Sequence, residues 1–188
     1  MEIMDILRDD NIDKEKLLSL IPELNELEEC PVIHPAHKFD ILTHTLEAVK
    51  LVKKDILKVA LLLHDIGKPS SISYGIHRVT GDVITNFPGH PEKSVELSEP
   101  ILKRLQVNPS DMRLILKLIY YHDTPIESTE KMKDIQKEIG TQGLGLLLEM
   151  QEADLCTHAD EYRNKKMLLL QGVKRMYKEL IEKEENEI

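Results

Sequence analysis

The stretch Asp55-Ile56-Leu57-Lys58-Val59-Ala60-Leu61-Leu62-Leu63-His64-Asp65-Ile66-Gly67-Lys68-Pro69 decides the fold. Between Ile56 and Leu63 only Lys58 interrupts the apolar run. A helix that is apolar on nearly every side belongs in the middle of a bundle. The pattern predicts a helix from Ile56 to Asp65, capped by Asp55. That helix ends in a His and an Asp, and an ionised carboxylate without a partner is expensive to bury. A metal cation removes the objection.

Working outward, Leu42, Leu46, Val49 and Val52 recur at helical spacing from Asp40 to about Lys53. An earlier short helix spans Asp13 to Leu20 with an Asp cap, and Pro22, Pro31 and Pro35 then break the chain up to His37. Downstream, the helical period vanishes between Gly67 and Pro91. Thr80-Gly81-Asp82 there separates short β-prone runs, which predicts a long loop carrying a small hairpin. Helices are expected from Pro91 to Leu105, with Pro100 kinking or dividing the element. Another opens at Asn108-Pro109 and runs to about His122. A short one from Glu130 ends at Gly140. Two more follow, Gly143 to Thr157 and Asp160 to near the C-terminus, the last ending in an acidic tail, Glu182 to Glu187. The expected class is all-α, organised as one domain over 1–188: a core of about 37–160, an N-terminal helical segment 1–36 and a C-terminal helix 160–188.

Composition agrees with packed helices. Of 188 residues 41% are hydrophobic and 31% charged, while aromatic residues make up 4% with no Trp, so aliphatic side chains must fill the core. The net charge of −9 disfavours a broad surface for nucleic acid or anionic membrane. Cys30 and Cys156 are too few and too separated for a disulfide framework or a Cys-rich zinc site. Met1 to Asp10 has no signal-peptide pattern, and no apolar run approaches the roughly 18 residues of a membrane span, so a cytoplasmic protein without a membrane partner is expected.

The chemistry-bearing residues fall in a particular order. His122 continues the apolar row Met112, Ile115, Ile119 and so points inward. Asp154 shares a face with Leu147 and Met150; His44 lies one turn from Ile41 and Ala48; His90 sits where the loop rejoins the helices. Imidazole and carboxylate together suit iron, manganese, zinc or nickel and argue against calcium alone. Any one of these residues has an ordinary reading as a hydrogen-bonded core His or a capping Asp. Their joint order is what points to a metal site.

That order resembles the HD-domain superfamily of metal-dependent phosphohydrolases: His44 in FDILTHTLEAV, His64-Asp65 in ALLLHDIGKP and Asp154 in LLEMQEADLCTHAD, over roughly residues 37 to 160. HKFDILTHTLEAV and FPGHPEKSVELSEPILKRL are similar to the HD domain of bacterial tRNA nucleotidyltransferases, the CCA-adding enzymes. With no nucleotidyltransferase segment in the sequence, polymerase activity is not part of the expectation. The resemblance implies an HD-type helical bundle and one ion held by His44, His64, Asp65 and Asp154. It implies a second ion held by His90 and His122, with Asp65 bridging. The ions would be Fe, Mn, Ni, Co or Zn, with Mg as a further option. Asp65 and Lys68 are the expected catalytic residues, Lys68 touching a substrate phosphate and His37 lining the pocket mouth. Pro100 departs from the family's usual helix and bears on the placement of His90. His34 and His77 read as surface loop residues, and Asp160 as a helix cap competing with Asp154 for the distal-ligand role. The expected reaction is metal-dependent hydrolysis of a phosphate mono- or diester, a nucleotide or 2′,3′-cyclic phosphate. The alternatives are a catalytically silent nucleotide- or RNA-binding regulatory HD module and a helical interaction protein. The long C-terminal helix is a candidate homodimer surface.

Overall fold

A computed structural model describes residues 2–186 of the chain. It is all-α apart from one hairpin. In chain order the helices are α1 (Glu2–Leu7), α2 (Lys14–Leu20), α3 (Asn25–Glu29), α4 (Ile41–Lys50), α5 (Asp55–Leu63), α6 (Lys68–Ser71), α7 (His90–Arg104), α8 (Pro109–Tyr121), α9 (Thr129–Cys156) and α10 (Asp160–Asn186). Between α6 and α7 lie β1 (Ser73–Ile76) and β2 (Val83–Asn86), antiparallel with Tyr74 opposite Thr85. Among the described residues no helix is long and apolar enough to cross a membrane.

α5 is the hub, packing against α4, α8 and α9. Leu57, Leu61, Leu62 and Leu63 are each 0% exposed. Each such side chain contributes roughly 1.5–3 kcal/mol relative to leaving it in water. The caps that set element starts are local. The Asp13, Asp40 and Asn108 side chains accept from the backbone N–H of Lys16, Thr43 and Asp111.

Three expectations need correction. Asp55 is the first residue of α5 rather than its cap; Lys54 holds that position without a side-chain bond, and the Asp55 carboxylate instead pairs with Arg8. The helix stops at Leu63, so His64 and Asp65 lie in the turn that ends it. Pro100 does not divide α7, which continues through it. Pro100 and Glu96, whose carbonyl loses its partner, are both exposed, so water can replace the missing bond.

The remaining segments stand close to expectation. Gly140, with φ 75°, breaks α9 where one helix was expected to end and another to follow shortly after. The acidic tail is helical through Asn186; Glu187 lies outside the described residues. Both cysteines are free thiols.

Candidate metal centre

Four elements deliver the site. His44 comes from the middle of α4, His64 and Asp65 from the end of α5, His122 from the end of α8 and Asp154 from the last turn of α9. His90 comes from outside this core, as the first residue of α7 directly after Gly89, whose φ of 72° turns the loop back toward the bundle. His44, His64, Asp65, His90 and His122 are between 1% and 7% exposed.

The four imidazoles share one tautomer, and the reason is legible atom by atom. His64, His90 and His122 each place Nδ1 against a backbone carbonyl three residues earlier: Leu61 at 2.6 Å, Phe87 at 2.8 Å and Ile119 at 2.6 Å. A carbonyl can only accept, so each Nδ1 carries the hydrogen. His44 reaches the same state by a longer route. The Thr157 hydroxyl donates to the Asp154 carbonyl at 2.7 Å and therefore accepts from His44 Nδ1–H, also at 2.7 Å. In the neutral rings all four Nε2 atoms are left bare, as ligation requires.

Those bare nitrogens converge on carboxylates. His44 Nε2 lies 2.8 Å and His64 Nε2 3.5 Å from Asp154 Oδ1. Asp65 faces both ways: Oδ2 is 3.3 Å from His64 Nε2 and 3.7 Å from His44 Nε2, while Oδ1 is 3.5 Å from His90 Nε2 and 3.7 Å from His122 Nε2. Yet His44 Nε2, His64 Nε2 and Asp65 Oδ1 are buried without any hydrogen-bond partner. The 2.8 Å approach of His44 to Asp154 is close enough for such a bond but not aligned for one. His90 Nε2 and His122 Nε2 stand 3.1 Å apart, two lone pairs facing each other. A buried polar group left unpaired is costly, and one kind of partner satisfies all of these atoms together: a cation. The triads His44, His64, Asp154 and His64, Asp65, His122 each bring their ligand atoms within 4.8 Å of one another.

Electrostatics show how strongly the two carboxylates draw positive charge to the site. Burial alone would raise Asp65, but His64, Lys68, His90 and His44 outweigh it and hold the carboxyl well below the ordinary range. Burial is likewise overcome at Asp154, whose carboxyl is held well below the ordinary range by the adjacent His44 and His64 rings. His64 is raised because Asp65 and Asp154 outweigh the burial that would lower it. Burial, with His64 beside it, pushes His122 down to about 3, leaving a neutral ring.

Lys68 is 8% exposed, and its ammonium donates to Asp65 Oδ2 at 2.6 Å while lining a cavity of about 270 Å³. His37 lines the same cavity and is driven to about 3, by burial first and then by Lys68. His34 is not the surface residue expected; it lines the cavity wall, 5.9 Å ring to ring from His37. His77 packs against His34 from the hairpin turn. Asp160 is exposed and paired with Arg163, while Asp154 sits with the histidines.

Sequence reasoning missed His158, Tyr162, Asp123 and Thr157. His158 accompanies Asp154, its Nδ1–H donating to the Asp154 carbonyl at 3.0 Å, and its ring stacks on Tyr162 at 5.1 Å. Asp123 reaches solvent through the cavity, yet the protein crowded around it withdraws it from bulk water and raises its carboxyl. Adjacency to His122 and Asp154 was the available signal for Asp123 and His158. Nothing local marks Thr157, whose partner His44 is 113 residues away.

A helical bundle with inward imidazoles and carboxylates at the floor of a small cavity defines the class of protein with a candidate metal site. The sequence profile of the HD domain family matches residues 33–165, and the chain belongs to that family. It is similar to the bifunctional uridylyltransferase/uridylyl-removing enzyme of Mycobacterium tuberculosis (strain ATCC 25618 / H37Rv), 30% identical over 121 residues, which is 60% of this chain and 13% of that protein. It is also similar to the multifunctional CCA protein of Methylobacillus flagellatus, 27% identical over 122 residues, 62% of this chain and 28% of that protein. The chain thus spans less than a third of either relative.

Proposed function

We propose that the protein is a metal-dependent phosphohydrolase acting on a phosphate mono- or diester, with a nucleotide or a 2′,3′-cyclic phosphate as substrate. The observation that carries this reading is the set of buried, unpartnered ligand atoms on His44, His64 and Asp65 beneath an open cavity. Four residues, His44, His64, Asp65 and Asp154, would hold one divalent cation; His90 and His122 would hold a second, with Asp65 shared between the two. Such ions supply Lewis acidity toward phosphoryl oxygens and a lowered water pKa.

The chain's own residues do the rest. Lys68 fixes the Asp65 carboxylate with one N–H and has further ammonium protons to offer a phosphate entering the cavity it lines. Phe87 lies 5.5 Å from the Lys68 ammonium and keeps it on the cavity side. Neutral His37 forms the mouth, donating or accepting a hydrogen bond without adding charge. At about 270 Å³ the cavity falls just below the roughly 300–1,000 Å³ of pockets that enclose a drug-sized ligand, which fits a single phosphate group with part of its ester.

The test is turnover of a panel of nucleotides and cyclic phosphates by metal-loaded protein, beside elemental analysis. His64→Ala and Asp65→Ala should abolish both turnover and bound metal. Full turnover in both variants would end the proposal. Metal-free protein that still binds nucleotide would favour the silent regulatory module instead.

A further inference from the structure

We infer that Gly67 and Ser94 act as a clamp that holds His90 at its distance from Asp65, and so governs whether His90 and His122 can together take a second cation. Both are positioning residues. The inference rests on the metal-centre reading above and assigns a role to a contact which that reading does not use.

The contact is tight. The Gly67 N–H donates to Ser94 Oγ at 2.9 Å, and Ser94 is 0% exposed. A Cβ at position 67 would lie 2.4 Å from Ser94 N, 2.6 Å from the His90 carbonyl oxygen and 2.7 Å from Lys93 Cβ. All three atoms belong to the first turns of α7, so only glycine lets the doublet turn rest directly against that helix. Gly67 is two residues beyond Asp65, and Ser94 is one helical turn beyond His90. A single hydrogen bond therefore links the segment that carries the shared carboxylate to the helix that carries His90.

α7 also packs on α8, but among the described residues no other hydrogen bond joins α7 to the segment that carries Asp65. The His90 Nδ1–H donates to Phe87 O, which belongs to the same loop-and-helix segment and travels with it. His44, His64 and Asp154 stand on or at the ends of α4, α5 and α9, which pack directly on one another, whereas α7 reaches that group through α8 and through the Gly67 contact. Loosening the clamp should therefore weaken the His90 side and leave the other side alone.

Ser98 supplies the control. It sits one turn further along α7, is 0% exposed like Ser94, and its hydroxyl has no partner. Ser94→Ala removes one buried hydroxyl and the clamp; Ser98→Ala removes one buried hydroxyl and no hydrogen bond.

The experiment is calorimetric titration of the chelator-stripped chain with Mn²⁺, with elemental analysis of the loaded samples. Wild type and Ser98→Ala should bind two ions. Ser94→Ala should keep the first affinity and lose about 10- to 100-fold in the second, the usual consequence of removing a group that orients a ligand. Gly67→Ala should bind one ion; if it fails to fold, Ser94→Ala carries the test. Two ions bound by Ser94→Ala with wild-type affinities, or equal weakening of both, overturns the clamp. A wild type that binds one ion also overturns the clamp but leaves the phosphohydrolase reading standing. A wild type that binds none defeats both.

Discussion

His64 and His90 both present a bare Nε2 to Asp65, and they arrive there by different routes. His64 ends a helix whose leucines are sealed in the core, and its Nδ1–H is tied to the carbonyl of Leu61 in that same helix. His90 follows a hairpin whose Tyr74 and Ile76 are each 63% exposed, and it is held by Phe87 and by the Gly67–Ser94 contact. One half of the centre is thus a property of the bundle, while the other joins the bundle residue His122 to a histidine that follows a loop and depends on α7 docking correctly. The difference predicts unequal responses to mutation.

The largest effect should come from the core half. Asp154→Ala leaves His44 and His64 without their common carboxylate. If the ion it helps to hold is worth several kcal/mol of transition-state stabilisation, then at about 1.4 kcal/mol per factor of ten the loss in kcat/KM is on the order of 10³. Elemental analysis should find both ions gone, because the shared Asp65 loses its organised neighbours. Activity within tenfold of wild type would show that the core half is not the indispensable one.

His90→Ala should be milder. It removes a ligand supplied from outside the bundle and leaves His44, His64, Asp65 and Asp154 in place. We expect one ion retained and a fall in kcat/KM of about 10- to 100-fold, on the scale of disturbing a metal site without dismantling it. Equal losses in His90→Ala and Asp154→Ala would erase the distinction between the two halves.

Much of the core half could be read in the sequence, because it is written in local and periodic signals. The run Ile56–Leu63 announces a buried helix, Asp40 and Asn108 announce helix starts, and the inward rows place Asp154 and His122 among apolar neighbours. The hairpin was legible from Thr80-Gly81-Asp82 between β-prone runs. What stayed hidden depends on approach between distant segments. Asp55 looked like a cap because caps are local, but Arg8, just past the end of α1, recruits its carboxylate. His34 looked like surface because nothing nearby in sequence shows that Thr85 N–H donates to the Ile33 carbonyl at 2.8 Å, bringing that segment beside the cavity. Thr157 at the cap of α9 and Ser94 inside α7 are ordinary residues until their partners arrive.

Thr157→Val tests whether hidden contacts matter as much as visible ones. The valine keeps the shape and removes the hydroxyl that fixes the His44 tautomer. Affinity for the first ion should fall about tenfold, at the low end for an outer-shell partner, with the second changed less. An effect confined to the second ion would contradict the division of the centre.

The smallest effect should appear far from the centre, where the N-terminal segment meets α7. Glu23 and Arg104 form a two-pronged ion pair with both distances 2.8 Å. The bond from Arg104 lowers the Glu23 carboxyl, with burial opposing it. A depressed folded-state value means that the pair's stabilisation is fully present above the ordinary glutamate value. It fades as pH falls through the folded one. Both side chains are at least a third exposed (35% and 47%), so solvent screening limits the gain to at most about 1 kcal/mol. Glu23→Gln should therefore lower the melting temperature by no more than about 2–4 °C at pH 7. The gap to wild type should close in acid, where wild-type Glu23 is also uncharged. Because Arg104 lies at the end of α7 remote from His90, the variant should bind Mn²⁺ as wild type does. Altered Mn²⁺ stoichiometry in Glu23→Gln would mean that the whole length of α7, rather than its clamped first turns, sets the position of His90.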